Sequence, residues 1–395
     1  MKLFPSLLAL CLVTASVLAQ SASPPPAPTH PEGFGPGEPA LALQVQEWIK
    51  GTPITQLEKG KVYLVEFWAT WCGPCVGGIP HLNALQRKYA KDGLVVIGFT
   101  APDVEPGYTG PRKENNPLQK VRDFVAGRGD GMAYHVAYDT PDKATYKSWM
   151  NRVRGIPHSF LIGRDGRLVV AIHPFFMDDV IAQTIAGTWD PVAGPQRLNA
   201  GRELHFALYG MVTPEQFWPK YDELERIAPL LAQQEAGLKL PFALRRGNAA
   251  DIEATVATLI AIAREHNEAD KLAERVVSLL RPVEAFQIKE IPATATAEER
   301  KRREEQNQLG QARAIEAKLV PPLPLALADR MARTAFEINA RESAALSAMA
   351  EVAYARGDRT EAVKFQRLAV SATSKDEQER ENQRLAEFER TASQP

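Results

Sequence analysis

The sequence predicts an α/β unit with a central mixed sheet flanked by helices, followed by an all-α helical domain. Three observations carry this. From about Leu41 to Trp189, compact apolar runs alternate with segments of helical periodicity. Within that region Asp165-Gly166 separates two apolar runs, which is a strong hairpin signal. After Asp190 strand-like runs disappear, and Ala, Leu, Glu and Arg dominate.

The elements follow in order. Val62 to Trp68 is an apolar strand run interrupted by one acid, Glu66. Pro74 to Ala90 has helical spacing, with Ile79, Leu82, Leu85 and Tyr89 on one side. Leu94 to Phe99 suits a strand buried on both faces. Pro102 to Asn116 is rich in Pro, Gly and polar residues and reads as a loop. Leu118 to Ala126 and Lys143 to Met150 read as helices, with a short strand between them at His135 to Tyr138. Ser159 to Ile162 and Leu168 to Ile172 form the hairpin, and Met177 to Ala186 closes the unit as a helix.

The chain of 395 residues divides on this reading into a leader (1–19), a Pro-rich linker (20–40), the α/β unit (41–190) and the helical domain (191–395). Lys2, the apolar run Leu7 to Leu18 and the compact residues before Ala19 make a secretory signal cleaved after Ala19. The run is short for a bilayer span; an uncleaved anchor is the alternative. Leu10 stands where a lipoprotein signal wants a small residue, which argues against lipidation at Cys11, and no twin arginine is present. The protein is therefore expected to be extracytoplasmic or periplasmic, and soluble. A formal net charge of −1 gives no pull toward nucleic acid, and the Lys301-Arg302-Arg303 run is flanked by glutamates. Glu298/Arg302 and Glu299/Arg303 fall at the i,i+4 spacing of a solvated helix.

Loss of the leader removes Cys11 and leaves Cys72 and Cys75 as the only cysteines. A bridge between them closes so small a loop that it restrains little of the unfolded chain, so reactivity explains the pair better than stapling. Trp71-Cys72-Gly73-Pro74-Cys75 follows a strand and opens a helix. Unpaired N–H groups and the positive end of the macrodipole at a helix start both stabilise a thiolate. Cys72, at the exposed edge, is the expected nucleophile, and Cys75, one turn later and more buried, the resolving thiol. Trp71, Gly73 and Pro74 surround Cys72 and are expected to meet substrate; Pro74 suits the first helical turn. Glu66 is the candidate proton acceptor for Cys75 through water, unless it simply points out of the sheet. Zinc is the competing use of the Cys pair, but a structural site needs four ligands and the seven histidines are scattered. No cofactor or metal is expected.

The segment Phe67-Trp68-Ala69-Thr70-Trp71-Cys72-Gly73-Pro74-Cys75, followed by Pro80, resembles thioredoxin-fold proteins, and more narrowly the exported TlpA/ResA-type disulfide reductases. The resemblance covers about Leu41 to Trp189. It implies an α/β thioredoxin fold and a redox disulfide between Cys72 and Cys75. Arg154-Gly155-Ile156-Pro157 resembles the loop before the family's cis-proline, so Pro157 is expected beside the cysteines, with the Ile156 backbone pairing with an extended substrate. Glu66 takes the buried acid position of thioredoxin. The resemblance also implies a membrane protein as electron donor and disulfide-containing exported proteins as clients. Two departures stand out. Gly77-Gly78 lies inside the active-site helix, for close packing or a bend, and His158 follows the proline, either tuning Cys72 or as a partly exposed strand residue.

In the C-terminal half Ile252 to His266 and Ala269 to Leu280 suggest a helical hairpin, Pro321, Pro322 and Pro324 break the chain, and helix resumes to about Glu389. Met349-Ala350, Tyr354, Gly357-Asp358, Glu361-Ala362 and Ala369 fall near tetratricopeptide spacing, giving a repeat-like hairpin near 343–373 that either binds partner proteins or packs on the α/β unit. The leading functional expectation is a disulfide reductase. The alternatives are a partner-binding scaffold with a secondary redox role, and a net oxidase or isomerase.

Overall fold

The computed structural model describes residues 34–102, 116–281, 296–374 and 378–392. The expected leader and most of the linker, and the centre of the Pro102 to Asn116 loop, lie outside the described residues. Among the described residues no helix is long and apolar enough to cross a membrane.

The α/β unit contains β1 (Val45–Lys50), β2 (Val62–Phe67), α1 (Gly73–Tyr89), β3 (Leu94–Thr100), α2 (Leu118–Arg128), β4 (His135–Asp139), α3 (Ala144–Trp149), β5 (His158–Ile162), β6 (Leu168–Ile172) and α4 (Asp178–Ala186). The strands form one sheet in the order β1-β4-β3-β2-β5-β6. β2, β3 and β4 run parallel, while β5, β6 and the edge strand β1 are antiparallel to their neighbours. This is the mixed sheet with flanking helices of the thioredoxin fold.

Alternation along β2 sorts its side chains between the faces. Tyr63, Val65 and Phe67 join Phe99, Trp149 and Phe160 in one core. Val62, Leu64 and Trp68 pack with Ile79 and Leu82 of α1 in the other. Glu66 shares the parity of this second set and lies under α1. β1 falls inside the expected α/β unit but gives no strand signal of its own: as a half-buried edge strand carrying Glu47 and Lys50, it lacks a compact apolar run.

Eleven helices follow among the described residues: α5 (Ala193–Leu208), α6 (Pro214–Ile227), α7 (Pro229–Gln234), α8 (Ala236–Arg246), α9 (Ala249–His266), α10 (Ala269–Leu280), α11 (Ala297–Ala317), α12 (Leu325–Ile338), α13 (Ser343–Ala355), α14 (Arg359–Ala372) and α15 (Gln378–Ala392). The core under α1 continues through α4 into Leu208, Phe217, Leu224 and Leu231. A second core joins α8, α9, α10, α12 and α13. Buried Ala350, Ala353 and Ala362 let α13 and α14 approach closely. The two halves are tied at several points. Asp179 of α4 accepts hydrogen bonds from the Leu230 and Leu231 amides at the start of α7 (3.2 and 3.0 Å). Arg87 of α1 donates to the Glu265 carbonyl of α9 at 2.7 Å.

Candidate active site

β2 delivers the chain through Trp68–Trp71 into α1, and Cys72 is the N-cap of that helix. Its backbone is extended (φ −80°, ψ 97°), and its Sγ accepts a hydrogen bond from the Cys75 amide at 3.3 Å. A sulfur thus takes the place usually filled by a Ser or Asp oxygen, answering one of the unpaired donors of the first turn. The disulfide Cys72–Cys75 is formed. Cys72 Sγ also lies 3.8 Å from the Ile156 carbonyl oxygen, and the Ile156–Pro157 peptide is cis.

The expectation that Cys72 stands at an exposed edge needs correction. Its exposure is 5%, against 1% for Cys75. Both belong to the core, where half-buried Trp71, Val76 and Ile156 cover them. The Ile156 part of the cover comes from a segment more than eighty residues away, which local sequence does not reveal. Gly73 and Pro74 are the exposed members of the motif.

Glu66 does not point out of the sheet: it is 1% exposed, and its Oε1 has no hydrogen-bond partner among the described residues. Burial holds its carboxyl well above the usual carboxylate range. Ser159, opposite it on β5, has a buried hydroxyl without a partner, and so does Tyr134. Burial, reinforced by the nearby Glu66, likewise raises the Tyr134 phenol.

A family model described as Redoxin matches residues 39–177. The thiol-disulfide oxidoreductase ResA of Bacillus thuringiensis (strain Al Hakam) is 33% identical over 116 residues, which is 29% of this chain and 56% of that protein. The thiol:disulfide interchange protein HelX of Rhodobacter capsulatus is 28% identical over 160 residues, 39% of this chain and 79% of that protein. Protein FixW of Rhizobium leguminosarum is 25% identical over 164 residues, 41% and 71% of the two lengths. Residues 39–177 are a redoxin domain of the TlpA/ResA type. The chain spans about half the length of its ResA relatives (56%). A solved thiol-disulfide isomerase from Corynebacterium glutamicum is 23% identical, with 38% of this chain and 97% of that chain covered and a TM-score of 0.33.

The redoxin domain holds its active-site turn with a residue the sequence did not single out. Asn116 is fully buried. Its Oδ1 accepts from the Thr70 amide (3.0 Å) and hydroxyl (2.8 Å). Its Nδ2 donates to Thr100 Oγ1 (2.8 Å) and the Ala101 carbonyl (3.0 Å). The Thr100 hydroxyl in turn donates to the Trp68 carbonyl at 2.6 Å. The turn before Cys72 is thereby tied to the end of β3. A lone Asn at the end of a polar loop gives no sequence signal for this.

His158 of the redoxin domain is half-buried, its Nε2 has no partner among the described residues, and its ring sits 5.3 Å from Phe160. Burial lowers its pKa to about 4, with His173 adding to the effect. It is therefore neutral at physiological pH. Gly77 and Gly78 serve neither close packing nor a positive φ: a Cβ at either would meet nothing within 4 Å. Both face a cleft of about 360 Å³ beside the disulfide, bounded by Pro74 and Pro157 of the redoxin domain and by α9 and α10. The structure thus brings Cys72, Cys75, Ile156 and Pro157 together, with Pro157 also lining the cleft, Trp71 packed in the same core and Glu66 on the α1 side of the sheet.

Proposed function

We propose that the protein is an exported disulfide reductase acting on extracytoplasmic proteins through the Cys72–Cys75 pair. The observation that carries the reading is the position of Cys72 Sγ as acceptor for the first turn of α1, with Cys75 one turn behind it. In the reduced protein the same amide and the helix dipole favour the Cys72 thiolate. That thiolate attacks one sulfur of a client disulfide; the second client sulfur leaves as a thiolate and takes a proton from water. Cys75 then gives up its proton and attacks Cys72 Sγ, which restores the disulfide and releases the first client sulfur as a thiolate that takes a proton from water. Two electrons pass from the protein dithiol to the client. In its ionised form Glu66 is the proposed acceptor of the Cys75 proton, through water. Burial raises its proton affinity toward that of a thiol, so exchange between the two groups is closer to balance. Ile156 and Pro157, with Trp71, Gly73 and Pro74, are the proposed client-contacting residues. Return to the dithiol needs an electron donor, by family resemblance a membrane protein.

The test has two arms. A Cys75→Ser variant is expected to accumulate client adducts on Cys72 that thiols release; their absence would refute the mechanism. Equilibration with glutathione is expected to give a potential toward the thioredoxin end of the range, about −270 mV. A value toward about −120 mV would make the protein an oxidant instead.

A further inference from the structure

We propose that the cleft between the redoxin domain and helices α8–α10 binds the client segment next to its reacting cysteine, and that Arg275 selects segments carrying a carboxylate there. The inference rests on the redox reading above and adds a specificity site supplied by the helical half. Pro74 and Pro157, sequence or spatial neighbours of the disulfide, line part of the cleft. Gly77 and Gly78 add no side chain to the α1 wall between Pro74 and His81. Leu259 and Ile262 of α9 and Leu272 of α10 make the facing wall apolar. A volume of about 360 Å³ suits a short extended peptide and is too small for a folded domain.

Two polar groups in this lining are left over. Both amide atoms of Gln234 are buried and have no hydrogen-bond partner among the described residues. An amide of this kind pairs naturally with the N–H and C=O of an extended backbone. The Arg275 guanidinium is half-buried and makes no hydrogen bond or ion pair with the described residues. Burial draws its pKa down by more than the neighbouring Glu274 and Tyr209 raise it. It lies against Gly237, where a Cβ would come within 2.7 Å of its terminal nitrogen. The other charges of the cleft are already matched: Glu268 pairs with Lys271 at 2.5 Å, and His81 with Asp178 at 2.8 Å. The unmatched group is positive, so the ligand that completes the site is an extended apolar segment bearing Asp, Glu or a terminal carboxylate. A charge-assisted bond to such a group corresponds to roughly 10- to 100-fold in specificity.

The experiment uses the reduced full chain and a set of short disulfide peptides with leucine beside the cysteine. Asp, Asn or Lys is placed in turn at each flanking position. Each rate is divided by the same variant's rate with dithiodipyridine, a small neutral disulfide that reports Cys72 reactivity alone. The wild-type protein is expected to prefer the best Asp peptide over its Lys counterpart by about 10- to 100-fold in kcat/KM. Arg275→Gln should abolish the preference and Arg275→Glu reverse it. Gln234→Leu should raise KM for all peptides and keep the Asp preference. Equal rates for the three peptides in the wild type, or an Asp preference that survives Arg275→Glu, would overturn the proposal while leaving the redox reading intact. A failure of Cys72 to react with dithiodipyridine would overturn both. A second copy of the chain in the cleft would appear as a dimer that the peptides dissociate, and this too would overturn it.

Discussion

Replacing Asn116 by alanine tests how the turn carrying Cys72 is held. Four side-chain hydrogen bonds are lost, two accepted from Thr70 and two donated to Thr100 and Ala101. At about 1 kcal/mol net each, the ceiling is about 4 kcal/mol. Thr70 is half-buried and its hydroxyl can turn to water, which reduces the loss. Thr100 and Ala101 are buried, and their acceptors stay unanswered. The expected cost is therefore about 3 kcal/mol, a large share of a normal domain's stability. The sharpest readout is hydrogen exchange at the Thr70 amide, whose bond to Asn116 is removed. A local opening eased by 3 kcal/mol exchanges roughly 100-fold faster. Exchange in the peptide spanning 68–72 should accelerate accordingly, while β5 and β6 keep their protection. Asn116→Asp should be no better, because it keeps an acceptor for Thr70 but turns a carboxylate toward the Ala101 carbonyl. A cost below about 0.5 kcal/mol, with unchanged exchange at Thr70, would refute the clamp; surface substitutions fall in that range.

Two titrations extend the account. Glu66 has a raised pKa in the folded chain, so between its unfolded and folded values only the unfolded chain has released the proton, and stability falls as pH rises. Glu66→Gln should therefore gain Tm relative to wild type on going from pH 5 to pH 8, each tenfold of proton affinity being worth about 1.4 kcal/mol; a pH-independent difference would contradict this. His158 is lowered to about 4, so its NMR midpoint should lie near there, and its contribution to stability is lost as pH falls from about 6.5 toward that value. A midpoint above 6 would show that its ring is not buried as described.

How far the sequence reached depended on whether the signal was local. β2, β3 and β6 are carried by compact apolar runs, and the Asp165-Gly166 hairpin by its turn residues; all four can be read without tertiary context. The cysteine motif specifies its own helix start. β1 depends on pairing with β4, which lies about ninety residues on, and its side chains alternate without a strong apolar pattern. Pro219 and Pro241 stand inside α6 and α8, where local rules expect a break, and these helices were not separately legible. Glu66 is legible as an acid in an apolar run, but only the sheet's parity decides which way it faces. Asn116 acquires its role from Thr70, 46 residues away, and the lid over Cys72 from Ile156, 84 residues away. The cleft is less legible still, since Gly77, Gln234 and Arg275 meet only when the helical half packs against α1.

The central claim is that the amide at position 75 and the start of α1 hold the Cys72 sulfur as a thiolate. The most direct measurement is the ultraviolet thiolate absorbance of the reduced Cys75→Ser variant against pH, since that variant keeps the capping amide and leaves Cys72 as the one titrating cysteine among the described residues. The account predicts an inflection within roughly 3.5–7.5. An inflection near about 8.5, the value of a free cysteine, would contradict it.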